Sequence, residues 1–238
     1  MTLRAKTLIA ATALATLSAT CAFAADSSSD FAQPQYGSWN DSSSTAIGSQ
    51  INNSQTSNQT SFSSLSGSID TVGGDAMVDG TAAGNLVDVT TMNNTSVKNS
   101  QSVGPNASIA SDVNVDVNNV WGNVSISNQA VCNGASVSTD PTYSASHSFQ
   151  QCQATDPAQQ INTNVSNVGG NVAITGASLG NSFEADSNAP NMPVWSKQIN
   201  NSTVASTVNA NVYNVGGNTT MSSSAIGNTA QVIHYSTN

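Results

Sequence analysis

Charged side chains are scarce in this sequence, and basic ones are scarcer still. Asp, Glu, Lys and Arg make up 7% of the 238 residues, whereas ordinary globular domains have about 25%. There are 13 acidic residues but only 4 Lys and Arg. Because phosphate binding needs clustered Lys and Arg, we expect no nucleic acid partner. Since disordered chains usually have a high charge, the composition is not typical of disorder either.

Residues that support catalysis are also in short supply. The sequence has 2 histidines, His147 and His234, and it contains no Gly-x-Ser-x-Gly, His-Glu-x-x-His or phosphate-binding loop motif. We therefore expect no enzymatic activity, no cofactor and no metal site. Four acidic residues close together in the sequence leave two alternatives, paired carboxylates that cleave polysaccharide or a weak calcium site. They are Asp70, Asp75, Asp79 and Asp88.

Long apolar segments are absent apart from one near the N-terminus. A basic start, a short apolar stretch and the sequence Ala22-Phe23-Ala24 predict a secretory signal peptide over residues 1–24. The apolar stretch is shorter than the roughly 20 residues of a membrane-spanning helix, and we expect no transmembrane segment. Residues 25–45 have the composition of a flexible leader, and residues 46–238 contain repeats. The sequence therefore predicts a secreted protein that is soluble or bound to the cell surface.

Cysteine is rare, with 3 residues in the whole sequence. Cys21 lies in the predicted signal peptide, so that Cys132 and Cys152 remain after cleavage. In an oxidising compartment we expect these two to form a disulfide. The alternatives are a reactive thiol or a metal site shared with His147, which would offer too few ligands.

What the sequence does have is a repeat. Four blocks align without gaps on a central valine, and these valines lie 48, 48 and 47 residues apart: Val72, Val120, Val168 and Val215. Thirteen residues after each valine there is an asparagine: Asn85, Asn133, Asn181 and Asn228. The residue before this asparagine is Cys132 in the second block and glycine in the others. Periods of about 20–50 residues are typical of solenoids and other repeat arrays.

Apolar residues within a block alternate with polar ones, as at Val113, Val115 and Val117. This period of two predicts β-strands with one buried face, joined by turns at Gly-Gly-Asn and Gly-Asn. Since one coil cannot bury its apolar face alone, the coils must stack. We predict an all-β fold, a parallel β-solenoid with the four valines in its core and asparagine ladders along its axis. Two coils of about 24 residues per repeat are an alternative to one long coil.

Two segments interrupt the strand pattern, residues 139–157 and 186–197, and both contain prolines. We predict that they are loops that project from one side of the stack. Exposed aromatic rings on such loops could stack on sugar rings, so the candidate ligand contacts are Tyr143, Phe149 and Trp195. The alternative is that these loops fold back and cover the side of the solenoid.

The Gly-Asn positions carry a resemblance to a known family. The sequence Gly227-Asn228-Thr229-Ala230, with Gly84-Asn85 and Gly180-Asn181, resembles the Gly-Asn turn of curlin repeats, the secreted subunits of bacterial surface amyloid. The general character of the chain is also similar to the holdfast-anchoring surface proteins of stalked and budding bacteria. Those proteins are exported with a curlin-like partner and tie an adhesive polysaccharide to the cell. The resemblance implies an outer-surface adhesin or anchor in biofilm attachment, with fibre formation as an option.

The expected partners follow from this resemblance: other surface or matrix proteins, further copies of the chain, and polysaccharide. Two other functions stay open. One is a β-helix that binds or degrades polysaccharide and uses the acidic residues of the first block. The other is an ice-binding solenoid, because low charge and regular threonines suit that role.

Overall fold

The fold consists of β-strands throughout the part of the chain that the structure, a computed structural model, describes: residues 49–92, 94–139, 144–188 and 192–234. The predicted signal peptide and leader lie outside these residues. None of the described residues forms a helix that is long and apolar enough to cross a membrane. The strands are β1 Ser49–Ser57, β2 Ser61–Val72, β3 Ala76–Thr91, β4 Thr95–Val103, β5 Ser108–Val120, β6 Val124–Thr139, β7 Ser144–Cys152, β8 Thr155–Val168, β9 Val172–Ser187, β10 Val194–Asn200, β11 Ala205–Val215 and β12 Thr219–His234.

These strands form three parallel sheets of four strands each. Sheet 1 contains β1, β4, β7 and β10, sheet 2 contains β2, β5, β8 and β11, and sheet 3 contains β3, β6, β9 and β12. Three consecutive strands therefore make one coil, with one strand in each sheet, and four coils stack along the axis. This architecture confirms the predicted parallel β-solenoid.

One coil corresponds to one repeat. Val120 is paired with Val72 in the coil before it and with Val168 in the coil after it, and these partners are one repeat away in the sequence. The alternative of two coils per repeat is therefore wrong. Each coil contains a strand of sheet 1 in addition to its strands in sheets 2 and 3. The three strands and their connections together account for all residues of one repeat.

Sheet 3 faces both of the other sheets. Each of its strands has 16 residues and bends in the middle, so that the first half packs on sheet 2 and the second half on sheet 1. The core on the sheet 2 side consists of Val and Ile, such as Val117, Ile126 and Ile161, which are at most 1% exposed. The hydrophobic effect is therefore concentrated between sheets 2 and 3.

The predicted turn at Gly-Asn is a bend inside a strand. β6 continues through Cys132 and Asn133 without a break, and residues 130–135 are all buried. A Cβ atom on Gly84 would lie 2.6 Å from the carbonyl oxygen of Cys132 in the next coil. Position 84 therefore has no room for a side chain, because Cys132 of the adjacent coil and the side chain of Val103 lie too close.

The Gly-Gly-Asn segments are turns, as predicted, but their glycines serve close stacking. The left-handed backbone is adopted just before them, by Asn119, Asn167 and Asn214, with φ of 53°, 54° and 55°. Asparagine visits this region more readily than most residues. A Cβ atom on Gly217 would lie 2.7 Å from the carbonyl oxygen of Gly170 in the coil before it. Without a side chain, the Gly217 N–H donates to that oxygen at 3.0 Å.

The two predicted loop segments contain strands, and that prediction was wrong. The first segment includes all of β7 and the beginning of β8, and the second includes the beginning of β10. The inward-facing side chains of β7 are polar, for example Ser146, Ser148 and Gln150, and they are 0–1% exposed. Since apolar alternation was the criterion for a strand, a strand with a polar buried face did not meet it.

Candidate functional site

The four repeat valines form a column in the core. Val120 and Val168, in the middle coils, are 0% and 2% exposed. Val72 and Val215, in the end coils, are partly buried and pack against the same cluster. The valine column therefore stabilises the core. A further coil at either end of the stack would bury the end valines more completely.

The asparagines of the repeat form a ladder along sheet 3. Asn85 Nδ2 donates to Asn133 Oδ1 at 2.9 Å, Asn133 to Asn181 at 2.8 Å, and Asn181 to Asn228 at 2.7 Å. The first three asparagines also donate an N–H to a backbone carbonyl of sheet 1, each at 2.9 Å. A buried polar group without a partner costs about 1–3 kcal/mol. The ladder therefore fixes both the stacking of the coils and the position of sheet 3 against sheet 1.

A second ladder, made of glutamines in sheet 1, was missed by the sequence analysis. Its members are Gln55, Gln101, Gln150 and Gln198, and each of the last three donates to the glutamine of the preceding coil at 2.9 Å. All four also donate to a backbone carbonyl of sheet 3, at distances between 2.7 and 3.0 Å. The signal was present in the sequence, since these glutamines are one repeat apart, give or take two residues.

The two ladders run in opposite directions. Glutamine N–H groups point toward the first coil, whereas asparagine N–H groups point toward the last. At the open end of the last coil, Gln198 therefore presents its side-chain oxygen and Asn228 its amide N–H. At the open end of the first coil, Gln55 presents an amide N–H and Asn85 its side-chain oxygen. The first coil of a second copy thus offers the complementary donor and acceptor to the last coil.

The exposed columns end differently, because the first coil has Asp70 and Asp75 where the second coil has Asn118 and Asn123. Asn119 Nδ2 donates to Asp70 Oδ1 at 2.9 Å. The backbone N–H of Asn123 donates to Asp75 Oδ1 at 2.7 Å. A carboxylate accepts hydrogen bonds but cannot donate one. These columns therefore stop at the first coil, unlike the buried ladders.

The four acidic residues of the first block do not form one cluster. Asp70 and Asp75 end the columns just described, Asp79 accepts a hydrogen bond from Ser127 at 2.6 Å, and Asp88 is paired with Ser136. Within the described ranges, no group of three or more His, Cys, Asp or Glu could hold a metal ion. The arrangement therefore gives no support to a calcium site at these residues.

Cys132 and Cys152 form a disulfide in the structure. It joins β6 of the second coil to β7 of the third, and both residues are completely buried. At the equivalent place one coil earlier, Gly84 lies against the side chain of Val103. The disulfide therefore fills a space that a glycine and a larger side chain fill elsewhere in the stack.

The candidate ligand contacts Phe149 and Trp195 lie on the outer face of sheet 1. They occupy neighbouring columns, in which Trp195 is paired with His147 and Lys197 with Phe149. The rings of His147 and Trp195 are stacked, with 6.5 Å between their centroids and 28° between their planes. Tyr143 lies outside the described residues. The aromatic side chains are thus held by strands, which fix their spacing more firmly than loops would.

Positive and negative charges lie on different faces. Lys98 and Lys197 are both on sheet 1, and none of its four strands contains Asp or Glu. The acidic residues with a described position lie on sheets 2 and 3 and in the turn at Asp75. On the outer face of sheet 3, partial burial and the nearby carboxylates of Asp186 and Asp88 raise the pKa of Glu184. In the part of the chain that the structure describes, the strands of sheet 1 therefore form a face without acidic residues.

The end coils expose apolar side chains in columns that the middle coils bury. Leu65, in the first coil, is 40% exposed, whereas Val113 and Ile161 in the same column are 0% exposed. Val208 continues this column into the last coil, where it is only partly buried. Each end thus combines an apolar strip with the edges of three strands, which can add another strand.

A family model described as HfaD, holdfast attachment protein D, matches residues 92–238, which is more than half of the chain. No curated protein and no solved structure matches the chain. The match agrees with the resemblance to holdfast-anchoring proteins, while the resemblance to curlins stays a prediction. The chain belongs to the holdfast attachment protein D family.

Proposed function

We propose that this protein is exported to the outer cell surface and anchors the holdfast there as a fibre of copies stacked end to end. Family membership supports the attachment role and the surface location. The observation that supports stacking is the pair of open amide ladders. Among the residues that the structure describes, the ladders end on an acceptor and a donor at the last coil and on the matching donor and acceptor at the first coil.

In such a fibre, β10, β11 and β12 of one copy pair with β1, β2 and β3 of the next. The repeat then continues across the junction, with Gln198 against Gln55, Asn228 against Asn85 and Val215 against Val72. Each hydrogen bond contributes about 1 kcal/mol net. About a dozen strand-edge bonds, together with the apolar strip, offset the roughly 4–15 kcal/mol cost of association.

Electron microscopy and light scattering of the purified chain test this proposal. Val212 faces the interior of the last coil, in register with Val165. Val212→Asp should prevent assembly because it puts a charge into the junction, where burying it unpaired costs several kcal/mol. Thr207, on the exposed face of the same strand, is the matched control. We expect fibres from the parent chain and from Thr207→Asp, and monomers from Val212→Asp with its β-sheet circular dichroism retained.

Two results would contradict the stacking proposal. One is a parent chain that stays monomeric at every concentration. The other is a Val212→Asp variant that assembles as readily as Thr207→Asp.

We further propose that the protein has no catalytic activity. The separation of Asp75 and Asp79 into different columns supports this, since paired carboxylates must act on one bond together. Incubation with common polysaccharides should release no reducing or unsaturated ends. Release that is lost in Asp75→Ala or Asp79→Ala would establish the enzyme function instead. In cells, deletion of the gene should shed adhesive material into the medium while growth stays normal.

A further inference from the structure

We propose that the outer face of sheet 1 binds an anionic polysaccharide. This inference rests on the proposed anchoring function, for which it names the class of ligand and the surface that holds it. The surface is defined by the outward-facing residues of three neighbouring strands: Lys98 and Ser100 on β4, His147, Phe149 and Gln151 on β7, and Trp195 and Lys197 on β10.

The first argument is charge. Lys98 and Lys197 are the only Lys or Arg residues after the predicted signal peptide, and both are on this face. Lys98 faces outward because its neighbours Val97 and Asn99 are 0% and 4% exposed and therefore face the interior. Lys197 faces the same way because it is in register with Phe149, whose own neighbours on β7 are buried. No strand of sheet 1 contributes a carboxylate. In a chain with a formal net charge of −9, this is the face that an anionic polymer can approach with least repulsion.

The second argument is the chemistry between the two lysines. Trp195 and Phe149 offer ring faces, and sugar rings pack on aromatic side chains through their C–H groups. The rings of His147 and Trp195 are stacked, so the imidazole restricts the orientation of the indole. Ser100 and Gln151 add hydroxyl and amide groups suited to sugar hydroxyls. Charge alone would fit any polyanion, but rings beside lysines and small polar groups fit a charged sugar polymer best.

The third argument is spacing. Lys98 is in register with His147 and, one coil further, with Trp195, and Lys197 lies two residues along the strand. With strands about 4.8 Å apart and about 3.3 Å per residue, the two lysine Cα atoms are about 12 Å apart. The aromatic rings lie between them, so a short run of sugar units can contact both ammonium groups and the rings. In a stacked fibre the surface recurs once per copy, which favours multivalent binding of a long polymer.

Affinity electrophoresis and calorimetry of the full chain with defined polymers test the inference. Polygalacturonate is the anionic polysaccharide, dextran the uncharged one, and polyglutamate an anionic polymer without sugar rings. The variants are Lys98→Ala with Lys197→Ala, and Trp195→Ala. The matched control is Asn114→Ala with Asn162→Ala, which removes two side chains from the outer face of sheet 2.

Binding to polygalacturonate should exceed binding to dextran, and it should weaken as salt increases. The double lysine variant should lose about tenfold in affinity, the sum of two exposed charge contacts. Trp195→Ala should weaken binding to polygalacturonate but leave polyglutamate unchanged, and the asparagine variant should bind like the parent chain. Circular dichroism and thermal midpoints confirm that the variants are folded.

Several outcomes would overturn the inference. One is equal binding of polygalacturonate and dextran, and another is undiminished binding by a folded double lysine variant. Polyglutamate bound as tightly as polygalacturonate, without dependence on Trp195, would assign the face to an acidic protein surface such as sheet 3 of a second copy. Fibre assembly is scored separately by microscopy on the same samples, so a failure of glycan binding is distinguishable from a failure of stacking.

Discussion

Replacing Gln150 by leucine should destabilise the solenoid, although leucine is the more hydrophobic residue. Gln150 is 0% exposed, in the middle of the glutamine ladder. It donates to Gln101 at 2.9 Å and to the Ser182 carbonyl at 2.8 Å, and it accepts from Gln198 at 2.9 Å. The substitution therefore removes three hydrogen bonds from a site that water cannot reach.

The expected loss can be worked from these contacts. Three net hydrogen bonds contribute about 3 kcal/mol, and the Ser182 carbonyl left without this partner adds a desolvation cost of about 1–3 kcal/mol. The larger apolar side chain returns about 1–2 kcal/mol of transfer free energy. The free energy of unfolding should therefore fall by about 3 kcal/mol.

Urea denaturation followed by circular dichroism measures this loss. The matched control is Gln151→Leu, the same substitution one residue further along β7, where the side chain faces outward. An exposed site of this kind should change stability by about 0.5 kcal/mol or less. Equal midpoints for the two variants would refute the reasoning, because the buried ladder would then contribute nothing that an exposed glutamine does not.

Two further predictions concern ionisable groups. Burial and the carboxylates of Asp186 and Asp88 raise the pKa of Glu184, so the folded state binds this proton more tightly than the unfolded state does. The free energy of unfolding should therefore fall as pH rises from below the ordinary value of 4.5 through the raised folded-state pKa. In Glu184→Gln the thermal midpoint should change less with pH over that interval. Asp70→Asn should accelerate fibre assembly, because an amide at the base of the column can donate to the last coil of another copy. In Asp112→Asn the same charge is lost from a middle coil, and equal acceleration by this variant in light scattering would show that net charge alone is responsible.

The apolar part of the fold could be predicted from the sequence because sheets 2 and 3 bury valine and isoleucine at alternate positions. Val113, Val115 and Val117 are 0–4% exposed, as a period of two requires. The spacing of the central valines likewise gave the length of the repeat, while the number of coils in it stayed open. An alternation of apolar and polar residues indicates a strand only where the buried side chains are the apolar ones, and this condition holds in two of the three sheets.

Sheet 1 could not be predicted in this way, because its interior is polar. The buried positions of β7 are Ser144, Ser146, Ser148, Gln150 and Cys152. Its outward positions include Ala145 and Phe149, so that apolar character points to the wrong face. The missing third strand then made one coil appear too short for its repeat. The ladder asparagines could be recognised by their spacing in the sequence. That their N–H groups point in the opposite direction to those of the glutamines depends on side-chain geometry, which the sequence does not contain.

The polar interior of sheet 1 also determines which side chains lie on its outer face. A slip of one residue along β7 would exchange its two faces, burying Phe149 and exposing Gln150. Burial of the phenyl ring would return about 1.5–3 kcal/mol, whereas the three ladder hydrogen bonds and the stranded carbonyl cost about 4–6 kcal/mol when they are lost. The ladder therefore outweighs the hydrophobic effect at this strand. It keeps Phe149 beside Lys197 on the outer face, in register with the neighbouring coil. Buried amides, which have no contact with a ligand, thus position the aromatic and basic side chains that we propose to bind one.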